Sequence, residues 1–235
     1  MDVEARQEPG LGESFDVIER DLQDLREALL RLAGQVESQI ERATLALRTL
    51  DEDEALAVRH GDRQINEAQA VLRERCFTVI SQQRPDDRQL RLLISIQYIS
   101  LELERMGDYA VRIARRTGML AQLSERRPLR AEFGLMGELA TQQVRDILDA
   151  LIEVDTERAR AVAAQDTHID RLYERVFDDV VQELASLEGG PDSDQVLRIV
   201  TLLQVAHDLE RIGDRVTNVA EDIVFLDSGE VVELG

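Results

Sequence analysis

Glu104-Arg105-Met106-Gly107-Asp108 returns, with one change, as Glu210-Arg211-Ile212-Gly213-Asp214. Each copy sets two carboxylates four residues apart, one turn of a helix, and spends a glycine in mid-helix. A mid-helix glycine costs about 1 kcal/mol against alanine, and like charges at i, i+4 cost roughly 0.2–0.5 kcal/mol. Both costs recur at matching places, which directs attention to the chain around them. Asp51, Val58, Asp62, Ile65 and Asn66 match Asp155, Val162, Asp166, Ile169 and Asp170 at a constant offset of 104. The Glu-Arg-x-Gly-Asp copies match at 106, and the longer turn at EGGPDSD accounts for the difference. The chain is an internal duplication.

Each half reads as three helices. Leu22, Leu25, Leu29, Leu32, Val36 and Ile40 follow i, i+3, i+4 spacing and mark one face of a long first helix. The acids at 51–54 form a turn and an N-cap for a second helix running to about Gln83. Pro85, with Asp86 and Asp87 after it, breaks that helix and starts a third. The second half repeats the plan, with one helix from Leu129 to Val154, one from Asp155 to near Glu188, a stop at Gly189-Gly190-Pro191, and a last helix. The expected fold is all-α: two tandem three-helix bundles with pseudo-twofold symmetry. Residues 1–13 form a flexible tail, 14–120 the first repeat, 121–128 a linker, 129–227 the second repeat, and 228–235 a short frayed tail.

Composition agrees. Of 235 residues 43% are apolar but only 3% aromatic, which suits Leu, Ile, Val and Ala packed between helices. A formal net charge of −20 excludes general nucleic-acid affinity, because phosphate binding needs a basic surface. Cations or basic protein surfaces suit it better. The single cysteine, Cys76, lies in an apolar stretch and reads as a core residue in a reducing compartment. The polar, acidic N-terminus has no signal-peptide pattern, and no run of about 18 apolar residues is present.

At about 100° per residue, Asp108 falls about 40° from Glu104 and on the same face. Leu92, Ile96, Ile99, Leu103, Met106, Ala110 and Ile113 make the opposite, packing stripe. Glu210 and Asp214 stand likewise, with Asn218 and Glu221 near that face. The preceding helix of each unit carries Asp62 with Asn66, or Asp166 with Asp170. Two adjacent helices could therefore bring four oxygen-bearing side chains together, an arrangement that hard cations and carboxylate-bridged metal pairs use. The opposing reading is a solvated acidic face neutralised by Arg105 and Arg112, or by Arg211 and Arg215. The three histidines do not occupy matching positions, and no Glu-x-x-His pair appears. A ferritin-type oxidase site therefore lacks its usual ligands.

These elements together resemble the PhoU family of phosphate-transport regulators. The resemblance rests on Asp62-x-x-Ile65-Asn66-Glu67, then Pro85 to Arg91, then Leu103 to Ala110, with Asp166-x-x-Ile169-Asp170, Leu209 to Asp214, Asn218 and Glu221 in the second unit. It covers the chain from about Phe15 to Asp227. It implies multinuclear metal sites on Asp62, Asn66, Glu104, Asp108, Asp166, Asp170, Glu210, Asp214, Asn218 and Glu221. The ions implied are divalent or ferric, iron or zinc first, with magnesium or manganese as alternatives. It also implies a cytoplasmic homodimer, held at the inner membrane face only through partners. Those partners are the phosphate ABC transporter ATPase and a phosphate sensor histidine kinase, and the outcome is repression of the phosphate-starvation response. Family members often carry His after the second Asp and Asn four residues after the first-unit Asp; here Arg215 and Arg112 stand there. Arg115 stands where the second unit has Glu221. Arginine does not ligate metal, so the first site is expected to be the weaker one, with Arg112 placed to pair with Asp108. Two other classes remain in view: a di-metal carboxylate-bridged enzyme, and a purely structural helical adaptor.

Overall fold

The computed structural model describes residues 11–124, 129–186 and 192–235. Among these there are seven α-helices and no strand: α1 (Leu11–Thr49), α2 (Glu52–Gln83), α3 (Asp87–Ala121), α4 (Ala131–Glu153), α5 (Thr156–Ala163), α6 (Asp166–Ala185) and α7 (Ser193–Ser228). The first three form one bundle and the last four the other. The expected flexible tail is already helical from Leu11, and residues 1–10 lie outside the described residues. Residues 125–128, half of the expected linker, and the Gly189-Gly190-Pro191 stop lie outside them too.

The duplication extends into the turns. α1 ends on Leu50 and α4 on Val154, both left-handed with φ 52. An L-residue with a branched side chain rarely adopts that conformation. Here it is held because the next N–H, of Asp51 or Asp155, donates back to Ala46 or Ala150 at 3.0 and 2.9 Å. The same two aspartates then cap the following helix, accepting from the N–H of Glu54 and of Arg158. At the other end of α2, Asp86 and Gln89 form a capping box that starts α3 beyond Pro85.

The apolar stripe predicted for α1 is fully buried, from Leu22 to Ile40. α3 and α7 lie side by side at the centre, α1 and α2 flanking α3, and α4, α5 and α6 flanking α7. One continuous aliphatic core therefore joins the two repeats. Cys76 is buried in it, and burial pushes its thiol up to about 11. Two acids cross the central seam. Glu102 of α3 is 6% exposed. It accepts from Arg105 at 2.6 Å on its own helix, and from Arg215 at 3.1 Å and Asn218 at 3.0 Å on α7. Asp208 of α7, which occupies the position equivalent to Glu102, is 2% exposed and pairs with Arg116 of α3.

Two features depart from the reading of the sequence. The second helix of the second repeat is not one helix but two. The chain turns at Ala164 and Gln165, where the Gln165 N–H bonds back to Val162. Alanine and glutamine are good helix formers, so local sequence does not account for the break; its consequence is that Asp166 becomes the first residue of α6. The C-terminal tail is also not frayed. Gly229, at φ 78, ends α7 with its N–H on Phe225. The chain then folds back until the Leu234 N–H reaches the Glu221 carboxylate at 3.0 Å.

Candidate metal centre

Each repeat gathers oxygen-bearing side chains from two neighbouring helices. In the first, α2 supplies Asp62 and Asn66 and α3 supplies Glu104 and Asp108. In the second, α6 supplies Asp170 and, at its first residue, Asp166, while α7 supplies Glu210 and Asp214. All eight are half-buried. The two glycines perform different tasks. A Cβ on Gly107 would stand 3.4 Å from two Ile65 methyl carbons and 3.2 Å from Gln39 Oε1. A Cβ on Gly213 would overlap Asp166 Oδ1. The second glycine thus makes room for a carboxylate, the first for the Gln39 oxygen and an Ile65 side chain.

The charges have visible consequences. Asp166 is pushed up to about 7, first by burial and then by Asp170, Asp214 and Glu210. Glu210 and Asp170 are raised by burial first and then by Asp214. In the first site Glu104 and Asp62 are raised by burial and then by Asp108. There the neighbours help: Asn66 donates to Asp62 at 3.2 Å, Arg115 favours the Asp62 anion, and Arg105 and Arg73 favour that of Glu104. In the second site Arg211 reaches Asp214 at 2.5 Å, and Arg215 lies 3.9 Å from it. His207 Nδ1 is 3.3 Å from Glu210, and burial and then Arg211 lower its pKa. His207 is otherwise an exposed helix-surface residue.

Several buried oxygens have no hydrogen-bond partner: Asp62 Oδ1, Asn66 Oδ1, Asp166 Oδ1 and Glu210 Oε2. Orphaned buried acceptors are rare and call for a missing donor or ion. The donor set, carboxylates with one amide, suits a hard cation. As they stand, no three Asp, Glu, His or Cys side chains among the described residues converge tightly enough to enclose one, so a bound ion would have to draw the carboxylates together.

Two of the predicted ligands stand apart from these groups. Asn218 donates to Glu102 across the seam, and Glu221 accepts from Leu234. The expected pairing of Arg112 with Asp108 is not formed; the Arg112 guanidinium lies 5.0 Å over the Tyr109 ring. With Arg105, Arg211 and Arg215 it lines an open polar cleft of about 460 Å³ beside Glu104 and Asp108. Reading the sequence missed three residues here. Glu102 carries no local mark that sets it apart from the other acids of α3. Gln39 and Gln143 are buried behind the two glycines, and only their shared offset of 104 within the duplication could have marked them.

The PhoU domain family model matches residues 29–117 and again 133–223, one match per repeat. A phosphate-specific transport system accessory protein PhoU homolog of Pseudomonas putida is 34% identical over 89% of this chain and 80% of its own length. The phosphate-specific transport system accessory protein PhoU of Escherichia coli is 30% identical over 89% of this chain and 85% of its own. The crystal structure of PhoU from Pseudomonas aeruginosa superposes with a TM-score of 0.84 at 32% identity, over 90% of this chain and 99% of that one. The phosphate transport system regulatory protein PhoU from Streptococcus pneumoniae gives 0.82 at 27% identity, over 92% and 100%.

Proposed function

The chain belongs to the PhoU family, and from that membership we propose a non-enzymatic regulator of phosphate uptake and phosphate-starvation signalling with metal-binding acidic faces. The observation that carries the phosphate assignment is the match of both repeats, at 30% identity or more, to proteins named as phosphate transport accessories. The metal component is supported by the orphaned oxygens of Asp62, Asp166 and Glu210 and by their raised pKa values, which come first from burial and then from neighbouring acids. Asp166, Asp170, Glu210 and Asp214 would hold one group of ions; Asp62, Asn66, Glu104 and Asp108 would hold the other. An ion there, iron, zinc, manganese or magnesium, would supply positive charge that binds the carboxylates of two helices to each other.

The partners proposed are the ATPase of the phosphate transporter and a phosphate sensor kinase, met in the cytoplasm by a homodimer. No described helix is long and apolar enough to cross a membrane, so contact with the bilayer would run through those partners. Deleting the gene and following a phosphate-starvation reporter tests the role, beside a pull-down from phosphate-replete cells. An unchanged reporter, with neither transporter nor kinase recovered, would reject it. An enzymatic activity abolished by Glu210→Ala would favour a di-metal enzyme. The purified protein containing no metal would favour a structural adaptor.

A further inference from the structure

A third helix reaches each acidic group. Gln39 of α1 and Gln143 of α4 occupy equivalent positions in the duplication, and they are 5% and 2% exposed. A buried amide normally finds partners for both its ends. Here Gln39 Oε1 and Gln143 Oε1 both lack one. For Gln39 the orientation is fixed by chemistry. Its Nε2 donates to the Val58 carbonyl at 3.1 Å, and a carbonyl can only accept. The side-chain oxygen must therefore be the end that faces the glycine, 3.2 Å from where a Gly107 Cβ would be. Gln143 Oε1 stands in the same relation to Gly213, at 3.5 Å from its missing Cβ, and Asp166 Oδ1 crowds the same spot.

We propose that Gln39 and Gln143 are inner oxygen ligands of the two sites, each reaching a bound hard cation through the gap its glycine leaves. The inference rests on the metal-binding reading above and adds a third helix to it. A cation then ties α1, α2 and α3 in one repeat, and α4, α6 and α7 in the other. An amide oxygen suits this position because it adds a donor without adding a negative charge to groups that already repel one another. It also gives both glycines a reason: a Cβ at Gly107 would press on Gln39 Oε1, and one at Gly213 would meet Gln143 Oε1 and overlap Asp166 Oδ1. A trapped water could satisfy the same oxygen, but it would not link the glutamine to metal affinity.

The test uses the full chain stripped of metal and titrated with Mn²⁺ by calorimetry. The variants are Gln143→Leu, which keeps size and removes the oxygen, and Gln143→Glu, which keeps an oxygen. The expected result is an affinity at least about tenfold weaker in Gln143→Leu, retained in Gln143→Glu, with the metal-free melting temperature of Gln143→Leu no lower than wild type. Mn²⁺ should also broaden the Gln143 side-chain amide signals in the wild-type NMR spectrum. Wild-type affinity in Gln143→Leu, with those signals sharp, would overturn the inference and leave the metal reading standing. A wild-type chain that takes up no Mn²⁺, Fe²⁺ or Zn²⁺ would overturn both. If Gln143→Leu does not fold, Gln143→Met makes the same comparison.

Discussion

The two acidic sites are built on the same frame and hold their charge differently. Gln39, Asp62, Asn66, Glu104 and Asp108 correspond one for one to Gln143, Asp166, Asp170, Glu210 and Asp214. The first has three acids, an internal hydrogen bond from Asn66 to Asp62, and Arg115, Arg105 and Arg73 close enough to favour the anions. The second has four acids, with Asp166 wedged over Gly213 and held near 7. Both sites have arginines beside them, Arg211 and Arg215 in the second, but only the first replaces an acid by an amide. The second keeps the fourth acid, whose charge a cation would offset. A duplicated site can thus diverge in ion demand through a single Asn-for-Asp difference and its surrounding arginines, without moving a helix.

The sharpest way to break this comparison is to remove the acids. Glu210→Ala with Asp214→Ala should abolish most of the metal bound by the purified protein, and Glu104→Ala with Asp108→Ala should remove less. Elemental analysis of the three proteins decides it, and equal metal in all three would end the case for either site. Next in size is the seam that holds the two sites together. Arg116→Leu strands the buried Asp208 carboxylate and should cost about 3–5 kcal/mol in chemical denaturation; a loss under about 1 kcal/mol would mean that Asp208 finds other partners.

A smaller effect separates the glycines. Gly213→Ala should turn the Asp166 carboxylate out of its place and weaken metal binding, while leaving the metal-free protein as stable as wild type or more so. Gly107→Ala meets contacts of 3.2 and 3.4 Å that a small shift relieves. It should come within about 1 kcal/mol of wild type and lose less metal affinity than Gly213→Ala, because its methyl presses on Gln39 Oε1 but overlaps no carboxylate. Similar metal loss in both variants would erase the difference drawn here.

The smallest expected effect is on pH dependence. Asp166 is raised to about 7, and so is Asp222, the latter by burial and then by Glu102 and Glu221. Both are acids whose folded pKa lies above the unfolded one, so between roughly pH 4 and 7 the folded chain binds more protons than the unfolded chain. Their contribution to stability is complete at the acid end and lost as the pH rises through 7. In chelator, the protein should therefore become easier to denature from pH 5 to pH 8. Asp166→Asn should flatten that slope more than Asp62→Asn does. Parallel slopes for wild type and Asp166→Asn would show that Asp166 ionises without cost.

The helices, their caps and the repeat were legible because each is written in local spacing: the α1 stripe, the Asp51 and Asp155 caps, Pro85 before Asp86. The acids on one helix face were legible for the same reason. Three things were not. The break at Ala164-Gln165 has no local signal and is set by what α6 packs against. Asn218 and Glu221 share an angular position with Glu210 and Asp214, but a helical projection discards height along the axis, and higher up each meets a different partner, Glu102 or Leu234. Gln39 and Gln143 lie on the buried stripe of their own helices, where a glutamine reads as a lapse in the pattern until three helices are assembled around it.

The crossed pairing at the seam has a consequence for inheritance. Position 102 of the first repeat and its equivalent, position 208 of the second, each meet an arginine from the other half of the molecule. Their partners are not equivalent: Arg215 aligns with Tyr109, and Arg116 with Asp222. The halves have therefore ceased to be interchangeable copies. A chimera built from two second repeats would set Asp222 where Arg116 now faces the buried Asp208, so a change on one side of that pair is admissible only with a change on the other.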